Sequence, residues 1–406
     1  FVHTFHEIAE PEAYFDTHPE YFSEVGGQRL RYNTQLCLTH PDVLALAISK
    51  VRLWLDQNPA ARIVSVSQND CYNPCQCEHC RQIDEYEGSH SGTLIRFVNA
   101  IARDIAADYP QVCVDTLAYQ YTRRAPRHTK PEPNVIVRLC SIECCFSHPL
   151  ETCREISRPF NRMAASPVNF ADDLKAWAAT GGKIYIWDYV SNFAHYLAPF
   201  PNLRVLAPNL RFFARLGVQG VFEEGDYQSK GSDFAPLKAY VLARLLWDPN
   251  LDIQELTREF LEGCFGWSAG PISDYIDLLH DRAQPYHLGI YDAPNGKYLN
   301  AAFLDRSDRL FDEAETLAES EPALQRIKAV RIPVRYTRLY QTKPDDPDYP
   351  RQVLEFYKAV DEAGITAISE LLSIEQCRTL MSRGLTPAQI EAERQAELEA
   401  IQNKQE

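Results

Sequence analysis

Between residue 44 and about residue 225, the chain alternates long amphipathic stretches with short apolar runs. The periodicity predicts helices each followed by a buried strand, the mark of parallel β/α units. The stretch VLALAISKVRLWLDQNP, closed by Asn58-Pro59, precedes IVSVSQND. SGTLIRFVNAIARDIAADYP, with Ser91 as its expected N-cap, precedes CVDTLAYQYT. A Pro-rich loop leads to VIVRLCSIE, DDLKAWAAT leads through Gly181-Gly182 into KIYIWDYV, and NLRFFARLG leads into VQGVFEEGDY. Five strands are therefore predicted. Beyond Trp247 the pattern is helical without strand-like runs, and the last stretch, PAQIEAERQAELEAIQNKQE, is polar nearly all round.

Each predicted strand is apolar until its last positions and then ends on a polar or acidic group. Such ends feed the catalytic face of a (β/α)8 TIM-type barrel, whereas a Rossmann sheet would carry a G-x-G-x-x-G turn after its first strand, and none occurs. With FVHTF taken as the end of an earlier strand, six strands are expected in the chain and the remaining two before Phe1. The expected organisation is an N-terminally incomplete barrel over residues 1–249, followed by an α-helical domain over 250–406.

Composition narrows the partners. The 406 residues carry a formal charge of -15, which argues against a nucleic-acid partner, because phosphate binding needs clustered Lys and Arg. No apolar run reaches the roughly 20 residues of a membrane span. Aromatics make up 11% of the chain, enough to supply flat rings for stacking on sugars as well as core. Twelve cysteines are present, several in CYNPCQCEHC and LCSIECCFSHPLETC. Cys75, Cys77 and Cys80 have the spacing to wrap three thiolates around a structural Zn²⁺, with His79 or a cysteine of the second cluster as fourth ligand; disulfides or buried thiols fit the spacing equally.

The candidate chemistry lies at the strand ends. Asp70, Glu143, Asp188 and the pair Glu223/Glu224 offer the carboxyl groups that glycoside hydrolysis needs in twos. Tyr119, Tyr121, Trp187, Tyr189 and Tyr227 accompany them, as in a sugar pocket. His3 and His6, Asn69, His148, Asn192 and His195 are further candidates for bonding substrate hydroxyls.

The strings YFDTHPEYF, SVSQND, CQCEHC, TLAYQYT, VIVRLCSIECCFSHPL, IWDYVSNFAHYLAPFPN and VFEEGDYQSKGSDFAPLKAYVLARLLWDP resemble the family 163 glycoside hydrolases over residues 1 to about 285. That resemblance implies an exported endo-β-N-acetylglucosaminidase that trims complex N-glycans, is typical of gut Bacteroidetes, and acts on an oligosaccharide or glycoprotein glycan. A more distant resemblance to the family 67 α-glucuronidases implies Asp70 as general acid, with Glu143 and Asp188 as the acids opposite. Taken together they make Asp70 and Glu143 the leading catalytic pair, Asp188 the third, and Glu223 and Glu224 substrate-binding groups. No cofactor is expected in catalysis. An α-glucuronidase-like inverting enzyme and a non-catalytic carbohydrate-binding barrel are the alternatives. A 2-acetamido substrate could instead supply its own nucleophile, oriented by Asn69-Asp70 or Glu223-Glu224.

Overall fold

The computed structural model describes residues 2–153, 169–382 and 384–404. Its centre is a curled, five-stranded, all-parallel sheet of β1 (Ile63–Ser65), β2 (Cys113–Ala118), β3 (Val135–Cys140), β4 (Lys183–Tyr189) and β5 (Gly220–Glu224), paired in sequence order. These are the five runs expected from the pattern. Among the described residues the sheet does not close into an eight-stranded barrel, since β1 pairs only with β2 and β5 only with β4.

The segment expected to end an earlier strand is not one. Phe1 lies outside the described residues, and His3 adopts a left-handed backbone (φ 58°) that interrupts an extended run before a short helix at Phe5–Ile8. The segment is tied to the end of β1 instead. The His3 N–H donates to Ser67 Oγ (2.9 Å), Thr4 Oγ1 to the Ser65 carbonyl (3.1 Å) and the Phe5 N–H to the Ser67 carbonyl (3.1 Å). The apolar positions that suggested a strand bury Phe5 against the edge of Phe97.

Register divides the strand residues between two faces, because successive side chains alternate. One face carries Val64, Val114, Thr116, Ala118, Val135, Val137, Leu139, Ile184 and Ile186, all buried. The other carries Ser65, Asp115, Leu117, Arg138, Cys140, Tyr185, Trp187, Tyr189, Phe222 and Glu224. Contacts run continuously across this second, polar and aromatic face. Ser65 Oγ reaches Asp115 (3.3 Å), Arg138 pairs with Asp115 (3.1 Å), and the Trp187 and Phe222 rings meet edge to face at 4.8 Å. Gly220 belongs here too, since a Cβ would fall 2.7 Å from the Tyr185 ring.

The flanking helices begin where their caps dictate. Helix Pro41–Gln57 starts on Pro41 with His40 accepting from the Asp42 N–H, and buries Val43, Ala47, Val51 and Leu55 along one stripe. Asn169 caps Phe170–Ala179 and Asp252 caps Ile253–Phe265. Ser91 is the first residue of Ser91–Ile105 and not its cap; its hydroxyl donates to the Arg124 carbonyl, while His90 occupies the cap position.

Residues after 250 are mostly helical, and one main core runs from Phe5 through the sheet to Phe311 and Val334. A second cluster joins Leu197 to residues between Ile332 and Ile390. The C-terminal part does contain strands, contrary to expectation: Ala367–Ser369 and Leu372–Ser373 form a small hairpin whose few residues leave too short a pattern to read. It docks across the carboxyl end of the sheet. The Glu370 N–H donates to the Phe193 carbonyl (2.9 Å), the Tyr196 N–H to the Ile368 carbonyl (2.8 Å), and Gln228 Nε2 to the Glu370 carbonyl (3.0 Å). No helix of the described residues is long and apolar enough to cross a membrane.

Candidate active site

Three carboxyl groups converge at the carboxyl end of the polar face. Asp70, in the exposed loop after β1, accepts the Tyr119 hydroxyl at Oδ1 (2.9 Å). Glu224, the last residue of β5, accepts the Trp187 indole N–H at Oε2 (2.7 Å). Glu370 arrives from the C-terminal hairpin. Burial raises the Glu224 carboxyl above the ordinary carboxylate range and the Asp70 charge adds to this, against the lowering effect of the indole and of His3. Burial likewise raises Glu370, with Glu224 and then Asp70 contributing. Around them stand Tyr119, Tyr189 and Tyr291, all lifted first by burial and then by neighbouring charged groups that include Asp70 or Glu224. Glu370 and Tyr291 come from a part of the chain where the sequence pattern signals only helices.

His3 borders this cluster, its Nδ1 bonded to the Gln68 carbonyl (2.8 Å) and its ring 6.1 Å from that of Tyr119. Tyr227 lies exposed at the rim. His6 is exposed on its short helix. Asn69 is occupied by scaffolding: its Oδ1 accepts the His6 N–H (2.8 Å) and its Nδ2 donates to the Thr34 carbonyl (2.9 Å). Asn192 is similarly spent on the His195 N–H and the Asp292 carbonyl, and His195 is buried between Tyr336 and Glu391.

The other predicted acids lie elsewhere. Glu143 forms a buried ion pair with Arg123, which also holds Asp173 through Nε (2.7 Å). With Tyr121, Tyr72 and His90 it lines a cavity of about 640 Å³ that Asp70 and Glu224 do not line. Asp188 and Glu223 are register partners on the helix-facing side of the sheet, opposite to Trp187 and Glu224. Asp188 accepts the Ser141 hydroxyl (2.5 Å) and the Tyr189 N–H (3.0 Å), and burial pushes it up to about 6 despite both bonds. Glu223 rises well above the carboxylate range through burial and then the Asp188 charge, and its Oε2 is shielded from solvent without a hydrogen-bond partner. One-residue parity thus separates Glu223 from Glu224.

Cys75, Cys77 and Cys80 gather with Cys37, not with His79 or the second cysteine cluster; all four are buried and their sulfurs lie within 4.8 Å of one another. Cys37 Sγ is 3.6 Å from Cys77 and 4.0 Å from Cys80. Four sulfurs about 3.8 Å apart are what a tetrahedral zinc site with bonds of about 2.3 Å requires. Cys37 stands in a run without any metal-site spacing, so sequence alone gave it no signal. His148 belongs to a separate group, with Cys145 Sγ at 3.2 Å.

The fold and this mouth define an α/β half-barrel protein with acidic and aromatic side chains at the carboxyl end of its sheet. A family described as "Domain of unknown function (DUF4838)" matches residues 1–277, and the chain belongs to that family. No curated protein matches it. Solved structures similar to it include a GH138 enzyme targeting pectin rhamnogalacturonan II, at TM-score 0.44 and 9% identity, covering 90% of this chain and 65% of that one. Another is a GH115 4-O-methyl-α-glucuronidase with specificity for decorated arabinogalactans, at TM-score 0.43 and 11% identity, covering 78% of this chain and 44% of that one. The chain thus spans less than two thirds of the length of either.

Proposed function

We propose that the protein is a glycoside hydrolase whose working carboxyl groups are Glu224 and Asp70, assisted by Glu370. The observation that carries this reading is the convergence of the three acids at one strand-end mouth among Trp187, Tyr119, Tyr189 and Tyr291. Glu224 suits the general acid. Its environment favours the neutral form, and the indole N–H on Oε2 leaves Oε1 to carry the proton toward a glycosidic oxygen. Asp70, exposed and oriented by the Tyr119 hydroxyl, suits the carboxylate that stabilises positive charge at the anomeric carbon, orients an acetamide or activates water.

Roles for the remaining acids follow from their surroundings. Glu143 positions the loop after β3 through Arg123, and Asp188 and Glu223 are structural acids beneath the sheet. The family 163 resemblance supports a β-linked N-acetylglucosamine in complex N-glycans as the substrate, and export as the localisation. The α-glucuronidase alternative needs a cation for the uronate, and the two arginines nearest the strand ends are engaged in buried ion pairs: Arg123 with Glu143 and Asp173, Arg138 with Asp115. Cys37, Cys75, Cys77 and Cys80 are proposed to hold a structural zinc that fixes the loop bearing Asp70; catalysis itself calls for no cofactor.

The test is incubation with a defined glycan panel and mass spectrometry of the products, repeated with Glu224→Gln and Asp70→Asn. Released oligosaccharide from the wild type, lost in both variants while glycan still shifts their melting temperature, is the expected result. Undiminished hydrolysis by either variant would overturn the assignment of that residue; glycan binding without cleavage by the wild type would favour a binding barrel.

A further inference from the structure

We propose a second metal site, formed by Cys145, His148, Cys153 and His287, that binds zinc and clamps the loop after β3 to the segment following helix Ala269–Ala283. One ligand atom from each of the four residues lies within 4.8 Å of all the others. Three edges of the cage are Cys145 Sγ to His148 Nδ1, 3.2 Å; Cys145 Sγ to His287 Nδ1, 3.3 Å; and Cys153 Sγ to His287 Nδ1, 3.6 Å. Zinc bonds of about 2.3 Å to sulfur and about 2.0 Å to nitrogen, set at tetrahedral angles, give sulfur–nitrogen edges of about 3.6 Å. The cage is therefore already near the size of the ion.

The histidine chemistry agrees. His148 Nε2 lies 2.7 Å from the Gln284 carbonyl, an acceptor only, so Nε2 carries the proton and Nδ1 turns its lone pair toward Cys145. That outer hydrogen bond is the device that orients a metal-bound imidazole. Two thiols and two imidazoles select zinc over magnesium or calcium, which prefer oxygen; the four ligand atoms, all within 4.8 Å of one another, enclose a single ion and not a two-iron cluster whose thiolates and imidazoles sit on different irons.

The backbone around the cage is built to match. The Phe146 N–H donates to the Leu288 carbonyl (2.8 Å) and Ser147 Oγ to the Tyr286 carbonyl (2.6 Å), so both ligand-bearing segments are already held side by side. Tyr291, which faces the three acids, follows His287 by four residues. A metal here fixes the base of the segment that delivers Tyr291.

The experiment is zinc analysis of protein purified without chelators, for the wild type and for Cys153→Ser, His287→Ala and Cys37→Ser. The expected contents are about two zinc ions per chain for the wild type and about one for each variant. X-ray absorption at the zinc edge of the wild type needs no variant to fold. It should give an average of about three sulfur and one nitrogen ligands if both sites are loaded, or about two and two if only this one is. Four sulfurs and no nitrogen, folded Cys153→Ser and His287→Ala proteins that keep the full wild-type zinc, or a Cys145–Cys153 disulfide in the peptide map would each overturn the proposal. None of these outcomes depends on whether the protein cleaves glycans.

Discussion

Replacing Asp188 by Asn should change how stability depends on pH, by an amount the structure sets. In the folded protein Asp188 is buried against Ser141 and beside Glu223, and its pKa is pushed up to about 6, from 3.8 for an ordinary aspartate. Between those values the folded state holds a proton that the unfolded chain has lost, so stability falls as pH rises from about 4 to about 6. A shift of roughly two units corresponds to about 3 kcal/mol at 1.36 kcal/mol per unit. Asparagine keeps the shape and the acceptor for the Tyr189 N–H but cannot ionise. For a chain of 406 residues, an unfolding entropy of about 2.1 cal/mol/K per residue converts 3 kcal/mol into a melting shift of about 3 to 4 °C. Scanning calorimetry of both proteins from pH 4 to pH 7.5 should therefore show the variant gaining on the wild type by about 3 °C, most of it before pH 6.5. A difference that stays constant with pH to within about 1 °C would refute the reading of Asp188 as a buried carboxyl group that holds its proton up to about pH 6.

Other outcomes follow from the same geometry. Glu224→Gln should lower kcat by about 10²- to 10⁴-fold with little change in glycan affinity, as expected for loss of a general acid. Trp187→Phe removes the N–H that stabilises charged Glu224, so the basic limb of the pH–rate profile should move to higher pH; an unmoved limb would mean that Glu224 does not set it. Glu87 has no exposed side-chain surface, and burial pushes its pKa up, but it accepts from the His128 and Thr129 N–H groups, the Thr129 hydroxyl and Arg96, which together outweigh burial and hold its pKa down to about 2. Its ionised form stabilises the fold above the unfolded pKa and loses that effect as pH falls through about 2. Glu87→Gln should accordingly cost about 1 to 3 kcal/mol at pH 7, measured by urea unfolding, and markedly less at pH 3.

The five sheet strands were legible because each is a short apolar run between an amphipathic helix and a polar end, a pattern set by burial on the helix-facing side. Alternation along β5 also carried the distinction between Glu223 and Glu224, yet which of the two faces the mouth depends on the register with Tyr189 and Asp188, and register is a tertiary fact. Glu143 looked like its strand-end neighbours in sequence; only its pairing with Arg123 sets it apart. The C-x-C-x-x-C run announced three of the four clustered thiols, while Cys37, His287 and Glu370 reach their clusters across long separations that leave no local trace. FVHTF imitates a strand because burial of Phe5 requires the same apolar spacing that a strand end would.

The hairpin that delivers Glu370 gives the chain an economy of its own. The family match stops at residue 277, but Tyr291, His287 and Glu370 all lie beyond it. A protein trimmed to the matched span would keep the five strands, Asp70 and Glu224, and lose one of three acids, one ring of the mouth and one ligand of the second cage. On the proposed reading, the smallest working piece is therefore set by what closes over the sheet and not by the sheet, so the span of the family match and the span of the proposed site differ by at least the distance from residue 277 to Glu370.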